Sequence, residues 1–451
     1  MDETALLALC NNLLDRARSG GADHAEAAAA WQRSIDTNLE NGKVHTVQTT
    51  EETVFGVRVL VGQSLGFATA NGVEPDTLGE AVGEALEQAR VMPADPFNGL
   101  PDPLPTSQVA DLFDERVTTV DVTETTRIAA ELVDSVRSRD ARVRIDSGSV
   151  SAACAACALA STTGVALTEA DTAMQGYLFG MAVDGDDVAS FDYDGDAARN
   201  VGDFAPLVRQ AARRFTEKCV SGLGAGKGRS FNGSIVLSPE AVGEFLLPNL
   251  IAAITADAVR KGRSALADKL GERIAVPTFT LIDDGTRAAG MASSAFDREG
   301  IPTSRHVLVE NGMLRSFLFN HYEARAAAGD ARSTGHAVGS AAALPGIGPS
   351  HLELEAGDTA DTDMTAGDGP CVFVGRFSGS SNPVTGDFSG VAKNGFLVEN
   401  GDRRPIKETL IAGNLFEMLD RISAVSAERR LLGGTQLLPS LRVDGISVTA
   451  G

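Results

Sequence analysis

The chain has 451 residues, 43% hydrophobic and 22% charged, a balance that predicts well-filled cores and excludes extended disorder. Asp and Glu number 61 against 39 Lys and Arg, so the formal net charge is −22. A chain this acidic, without a basic patch, repels phosphate backbones, which argues against a nucleic-acid-binding protein. No apolar run reaches the length of a membrane span, about 20 residues. The acidic start Met1-Asp2-Glu3 and five Cys without disulfide spacing favour a cytoplasmic protein.

Two stretches rich in proline or glycine divide the chain into three pieces. Residues 93–105 contain five prolines, and residues 221–230 read SGLGAGKGRS, which is typical of a flexible hinge. The sequence therefore predicts three domains, at 1–92, 107–220 and 231–451. The 48 glycines predict many tight turns. The expected fold class is α+β, with two small helix-plus-hairpin N-terminal domains and a larger β-rich C-terminal domain.

In the first piece, apolar residues recur every three or four positions over 6–17, which predicts an amphipathic helix. Asn-Gly pairs at 41–42 and 71–72 are the dipeptides favoured in two-residue hairpin turns. A second helix is predicted at 76–90, with Thr77 and Glu80 as its capping box.

The other two pieces continue with the same kinds of signal. The middle piece is predicted to hold a helix near 124–138, strands over 143–183 and a closing helix. In the third piece, Ser238-Pro239-Glu240 is a strong helix start, and this helix is expected to reach Lys261 with a kink at Pro248. Further Asn-Gly turns are predicted at 311–312 and 400–401, and a last helix at 412–425.

The spacing of the His and Cys residues bears on metal and thiol chemistry. No two of the six His are separated by four residues on one helix face, so the two-His grip of a zinc peptidase is missing. Cys154-x-x-Cys157 has the spacing of a redox pair, but it lies among small apolar residues, which favours two buried thiols. The six His are at 24, 45, 306, 321, 336 and 351.

An acidic run resembles a calcium loop, since Asp192, Asp194 and Asp196 alternate and Asp203 is at the twelfth position. Ala197 stands where such a loop needs Gly, so a solvated acidic turn is expected instead. The glycine run at 222–228 lacks the Ser or Thr that follows the Lys of a phosphate-binding loop. Four serines without a neighbouring His are interpreted as turn residues rather than nucleophiles: Ser378, Ser380, Ser381 and Ser389.

An ordered set of short motifs in the third piece resembles the TldD/PmbA family. The first piece, in the run from Glu40-Asn-Gly to Gly66-Phe67, is similar to that family's amino-terminal domain. The resemblance covers nearly the whole chain. The motifs of the third piece are Leu281-Ile-Asp-Asp-Gly285, Phe296-Asp-Arg-Glu-Gly300, Val309-Glu-Asn-Gly312, Ser333-Thr-Gly335, Thr385-Gly-Asp-Phe-Ser389 and Ala412-Gly-Asn414.

The resemblance implies two branches with different chemistry. The TldD branch resembles a zinc peptidase, with H-E-x-x-x-H on the helix after the hinge and a Cys near the carboxyl terminus. The PmbA branch, also called TldE, lacks these ligands. In an ungapped register from the shared Asp283-Asp284-Gly285 motif, the two His positions fall on Leu247 and Ala252 and the Glu on Pro248. This chain therefore resembles the PmbA branch, with no catalytic or metal-binding residue of its own expected.

By resemblance, the chain is expected to be the non-catalytic subunit of a cytoplasmic heterodimer that cuts unfolded or precursor peptides, with zinc held by a TldD-like partner. Edge strands of the third domain are expected to hold an extended peptide by main-chain hydrogen bonds. Two alternatives stay open. One is a stand-alone peptide-binding or scaffold homodimer without peptidase activity. The other is an enzyme of different chemistry, centred on the carboxylates of Asp283, Asp284, Asp297 and Glu299.

Overall fold

The amino-terminal half alternates long strands with helices. The computed structural model describes residues 1–367 and 369–450. The elements before the glycine run are α1 (Glu3–Ser19), β1 (His24–Glu40), β2 (Lys43–Val61), β3 (Ser64–Asn71), α2 (Pro75–Val91), α3 (Glu115–Thr118), α4 (Val122–Arg139), β4 (Val143–Ser161), β5 (Ala166–Asp184), β6 (Asp187–Val188), β7 (Asp192–Ala198) and α5 (Val201–Ser221).

Strands from the first two pieces of the chain form one sheet within the described residues. Its order is β3-β2-β1-β4-β5, and both β6 and β7 pair with β5. Strand β1 joins the pieces, because it pairs with β2 on one side and, over Glu26–Glu40, with β4 on the other. The sequence predicts separate domains at 1–92 and 107–220, but the shared sheet unites them in one layer.

One face of this sheet carries all the long helices. Alternate residues of a strand point to the same face, so the even-numbered residues of β4 from Val150 to Ala160 pack against helices. Before a bulge that shifts the alternation, Val143 and Ile145 take this role. Helices α1 and α2 cover one end of the face and α4 and α5 cover the other. The opposite face is turned toward the carboxyl-terminal half, as Cys157 and Leu159 show by packing with Phe296.

The carboxyl-terminal half is mostly β-structure. A π-helical turn at Val242–Leu246 joins α6 to α7. The elements are β8 (Gly226–Lys227), β9 (Phe231–Leu237), α6 (Pro239–Ala241), α7 (Leu247–Ala253), α8 (Ala256–Arg260), β10 (Leu281–Asp284), β11 (Arg305–Glu310), β12 (Met313–Leu314), α9 (His321–Ala326), β13 (Ala337–Val338), β14 (Gly346–Ile347), β15 (Leu352–Leu354), β16 (Cys371–Val374), β17 (Arg376–Ser381), β18 (Asp387–Lys393), β19 (Gly395–Glu399), β20 (Asp402–Lys407), β21 (Thr409–Asn414), α10 (Leu415–Leu419), β22 (Ile422–Leu432) and β23 (Gln436–Ala450).

Strand β23 organises this half. It pairs antiparallel with β9, β21 and β22 and parallel with β15, so several parts of the chain meet on it. Helix α7 packs into the resulting core, where Leu246, Leu247 and Leu250 are fully buried. The hinge expected at 221–230 is tied to this sheet, since Gly226 and Lys227 pair with β20. Within the described residues, no helix is both long and apolar enough to cross a membrane.

The helices predicted at 6–17, near 124–138 and before the glycine run are confirmed by α1, α4 and α5. The Asn-Gly pairs at 41–42, 311–312 and 400–401 have positive φ at both residues and join adjacent strands. The prediction at 71–72 is wrong, because β3 ends there and α2 follows. The capping box is also wrong, since Pro75 starts α2 and places Thr77 inside its first turn.

Two helix predictions in the third piece fail for tertiary reasons. Ser238 caps α6 as expected, with its hydroxyl accepting from the Ala241 N–H at 3.1 Å. The helix stops at Ala253 and restarts at Ala256 instead of running unbroken to Lys261. The predicted helix at 412–425 is reduced to Leu415–Leu419, because the flanking residues are claimed by strand pairing with β23.

Candidate functional site

A cavity of about 640 Å³ lies between the two halves of the molecule, and we call it the interdomain cavity. One wall is the helix-free face of the amino-terminal sheet, which contributes Gln175, Tyr177 and Tyr193. The other wall comes from the start of the 239–253 helical segment, with Glu240 and Glu244, and from the β22–β23 turn. The site is therefore assembled from both halves.

The 239–253 segment corresponds, by the resemblance to the TldD branch, to the helix that carries the zinc ligands in that branch. Leu247 is 0% exposed and belongs to the core. Pro248 is exposed and Ala252 is half-buried. These three side chains are hydrocarbon and offer no lone pair, so they do not fit a zinc ion, which takes Cys, His or carboxylate ligands.

A buried ionic network borders the interdomain cavity. Its centre is Asp194, whose carboxylate lies 2.7 Å from Arg214 Nη2, 2.8 Å from Lys218 Nζ and 2.9 Å from Arg430 Nη2. Burial by itself would raise the pKa of Asp194, but these cations hold it below its ordinary value. Glu240 joins the same network through Lys218, at 2.7 Å, and through Arg430. The network thus links α5 and β7 to α6 and β22.

A second set of contacts lies beside the network. Arg376 Nε is 3.2 Å from Asp192 Oδ1, and its guanidinium carbon lies 4.7 Å from the centroid of the Tyr193 ring. Burial raises the pKa of Asp192 to about 6, against the opposing effect of Arg376. The Tyr193 phenol donates a hydrogen bond to the Glu244 carboxylate. Strand β7 and the 239–253 segment are therefore in direct contact.

The expectation of a solvated acidic turn at 192–196 is wrong. Asp192, Asp194 and Asp196 lie on strand β7, where alternate residues share a face, and each is at most 7% exposed. Asp203 is apart from them, at the start of α5 and hydrogen-bonded to Asn200. The occurrence of Asp at every second position was the sequence signal that could have predicted a strand with one charged, buried face.

The four carboxylates of the alternative enzyme hypothesis hold loops in place. Asp283 accepts backbone N–H groups of Ser350 and His351 and lies 2.9 Å from His336 Nε2. Asp284 caps the turn at Thr286.

Asp297 and Glu299 have separate partners. Asp297 accepts three backbone N–H groups, and burial raises its pKa to about 7. Glu299 accepts from the His321 N–H and pairs with Arg58, at one wall of a larger cleft of about 900 Å³. Within residues 1–367 and 369–450, no three His, Cys, Asp or Glu side chains converge so as to hold a metal ion.

The remaining predicted residues are spread over strands. Cys154 faces the helices and Cys157 the opposite side of β4, where burial raises its thiol pKa to about 12. A cysteine pair on opposite faces of one strand does not meet, so this is no redox pair. The four serines lie on neighbouring strands rather than in turns, with Ser378, Ser380 and Ser381 on β17 and Ser389 on β18.

Comparison with known proteins identifies matches along most of the chain. The PmbA/TldA metallopeptidase C-terminal domain matches residues 231–450, and PmbA/TldA metallopeptidase domain 1 matches residues 25–89. A protein of Methanothermobacter thermautotrophicus named Metalloprotease is 28% identical over 434 residues, which cover 91% of this chain and 89% of that protein. Metalloprotease PmbA of Escherichia coli O157:H7 is 26% identical over 443 residues, or 95% and 93% of the two chains.

The fold has a solved counterpart. The crystal structure of TldE from Thermococcus kodakarensis superimposes with a TM-score of 0.88 at 23% sequence identity. The superposition covers 98% of this chain and 100% of that one. The two chains therefore share the whole arrangement of both halves.

Proposed function

Because the chain belongs to the PmbA/TldD metallopeptidase family, we propose that it acts as the PmbA-like, or TldE-like, subunit of a cytoplasmic peptidase complex. In this complex a TldD-like partner holds the catalytic zinc and this chain holds none. The two chains form a heterodimer, and its substrates are unfolded or precursor peptides.

The observation that carries this proposal is the composition and packing of the 239–253 segment. Leu247, Pro248 and Ala252 supply hydrocarbon where a peptidase of this family needs two zinc ligands and a base. Leu247 is, in addition, part of the core. The sequence has no His between 46 and 305 and no Cys after 371. A small shift of the alignment register therefore restores neither the two His ligands nor the Cys ligand.

Strand β17 supports a role in holding peptide. Among the described residues β18 is the one strand that pairs with it, so its other edge has no strand partner, and Ser378 and Ser380 are exposed. Arg376, at its start, touches Tyr193 beside the interdomain cavity. An extended peptide that adds to such an edge gains main-chain hydrogen bonds with little demand on its sequence.

The test compares three purified samples: this chain alone, a TldD-like chain alone, and the two chains after co-expression. Zinc is measured by elemental analysis of each purified sample, and cleavage of an unfolded peptide is followed by mass spectrometry. The proposal expects neither zinc nor cleavage with this chain alone, and both in a stable one-to-one complex. Stoichiometric zinc in the lone chain, or equal cleavage by the TldD-like chain without it, contradicts the proposal.

A further inference from the structure

One carboxylate beside the interdomain cavity has no cationic partner among the described residues. Asp192 is paired with Arg376, while Asp194 and Asp196 are paired with Arg214. Glu240 is likewise paired, with Lys218 and Arg430.

Glu244 differs from these four. Its carboxylate accepts a hydrogen bond from the phenol of Tyr193, which is neutral, and the residue is exposed at the cavity wall. Arg376, whose charge acts on Glu244, is already paired with Asp192, and the other cations nearby are paired with Asp194, Asp196 and Glu240. Glu244 therefore presents a carboxylate that no ion pair among the described residues neutralises. A carboxylate in this position gains most from a cation supplied by a ligand.

The cavity has the size and lining of a ligand site. Its volume of about 640 Å³ falls within the range of roughly 300–1,000 Å³ that is usual for such sites. Gln175, Tyr177 and Gln436 provide hydrogen-bonding groups, and Met291 and Leu432 provide apolar surface. This mixture suits a polypeptide segment better than a purely apolar molecule.

We propose that the interdomain cavity receives a cationic group of a bound peptide and that Glu244 is its counter-ion. This inference rests on the peptide-holding role proposed above and narrows the substrate class to peptides that carry a basic side chain or a free amino terminus. The net charge of −22 acts in the same direction, because it raises the local concentration of cationic chains.

The test uses four versions of one eight-residue peptide amide without acidic residues. The first has a free amino terminus and a central Lys, the second is acetylated, the third has Gln for Lys, and the fourth has both changes and is uncharged. Dissociation constants are measured by calorimetry at low ionic strength. The protein is the full chain, the Glu244→Gln variant and a Glu80→Gln control, which makes the same charge change on the exposed surface of α2.

The wild-type chain is expected to bind at least one of the charged peptides about tenfold more tightly than the uncharged one, equivalent to about 1.4 kcal/mol. The Glu244→Gln variant is expected to lose this preference for charged peptides and to bind the uncharged peptide as tightly as the wild-type chain does. The Glu80→Gln variant is expected to keep the preference. The acetylated peptide lacks the amino-terminal charge and the Gln peptide lacks the Lys charge. Comparing their affinities shows which of the two cationic groups binds in the cavity. Tyr193→Phe, which removes the hydrogen bond to Glu244, is expected to reduce the preference by about threefold.

Two results would overturn the inference while leaving peptide holding intact: equal affinity of the wild-type chain for all four peptides, or equal loss of preference in Glu244→Gln and Glu80→Gln. The second would assign the effect to overall charge. Failure of the wild-type chain to bind any of the four peptides overturns the inference together with the peptide-holding role. Circular dichroism of each variant confirms that it is folded.

Discussion

Lys218 on α5 and Glu240 on α6 join the two halves of the molecule, with Nζ and Oε1 2.7 Å apart. The same ammonium group lies 2.8 Å from Asp194, so it neutralises one carboxylate from each half. Both side chains of the Lys218–Glu240 pair are at most 16% exposed. The first turn of the 239–253 segment is therefore fixed to the amino-terminal half.

Replacement of Lys218 is expected to destabilise the protein strongly. In Lys218→Met, Asp194 keeps Arg214 and Arg430 and Glu240 keeps Arg430, but two poorly solvated carboxylates lose a shared cation. Removing one partner of a buried ion pair costs several kcal/mol. We expect the free energy of unfolding to fall by about 3 kcal/mol, measured by urea denaturation at neutral pH.

Arg213→Met is the matched control for this change. Arg213 lies on the same helix and pairs with Glu217, but the two side chains are 48% and 59% exposed. Exposed ion pairs contribute less than about 1 kcal/mol. Similar losses for Lys218→Met and Arg213→Met would show that the interdomain network contributes no special stability.

Leu247→His is expected to destabilise the chain, and Ala252→His to be tolerated. Leu247 is fully buried among apolar side chains, so an imidazole there loses packing and leaves polar nitrogens unpaired, at a cost of about 3 kcal/mol. Ala252 is half-buried, and a larger side chain there can extend to solvent, with a change below about 1 kcal/mol. Urea denaturation of both variants decides; a stable Leu247→His protein contradicts the core assignment.

Gly66→Ala is expected to disrupt the packing of α2 on β3. A Cβ at Gly66 would lie 1.8 Å from the Ala85 carbonyl oxygen, in the backbone of α2, so the helix must move away from the sheet. Overpacking of this kind costs about 3 kcal/mol. Gly83→Ala, on α2 with open space around the new methyl, is the control and is expected to stabilise by up to about 1 kcal/mol. Thermal unfolding that ranks the two variants in the opposite order contradicts this packing.

The sequence predicts the local parts of this fold better than their assembly. The apolar spacing over 6–17 and the Asn-Gly turn at 41–42 act through neighbouring residues, and both are confirmed. The pairing of β1 with β4 joins residues more than 100 positions apart, and no local pattern signals it. The segment 412–425 has helical apolar spacing, yet partners on β23 decide its structure.

The candidate site, too, could be predicted from the sequence only in part. The positions Leu247, Pro248 and Ala252 were identified by resemblance, and the fold then showed that the first is in the core. Glu244 was missed, because its significance depends on Tyr193 and on cations that come from other strands and helices. Its one local signal is its position on the same helix, one turn before Pro248.

Stability at acid pH is expected to depend on His321. Burial, together with Arg325 and Arg58, lowers the pKa of His321 to about 4, below the value of 6.5 in an unfolded chain. Folding therefore favours the neutral imidazole. Its contribution to stability is fully present above pH 6.5 and is lost as the pH falls from 6.5 toward 4, because the unfolded chain then binds the proton more readily.

In His321→Gln the side chain stays uncharged at every pH, so this loss is absent. When the pH is lowered from 7.5 to 5.0, the unfolding free energy of the variant is expected to rise by on the order of 1 kcal/mol relative to that of the wild-type chain. Partial solvent screening of the ring keeps the effect this small. The measurement is the difference in unfolding free energy at the two pH values. His24→Gln, at an exposed position, is the control and is expected to show an equal difference from wild type at both. A His321→Gln difference that is likewise independent of pH would mean that the imidazole is as readily protonated in the folded chain as in the unfolded one.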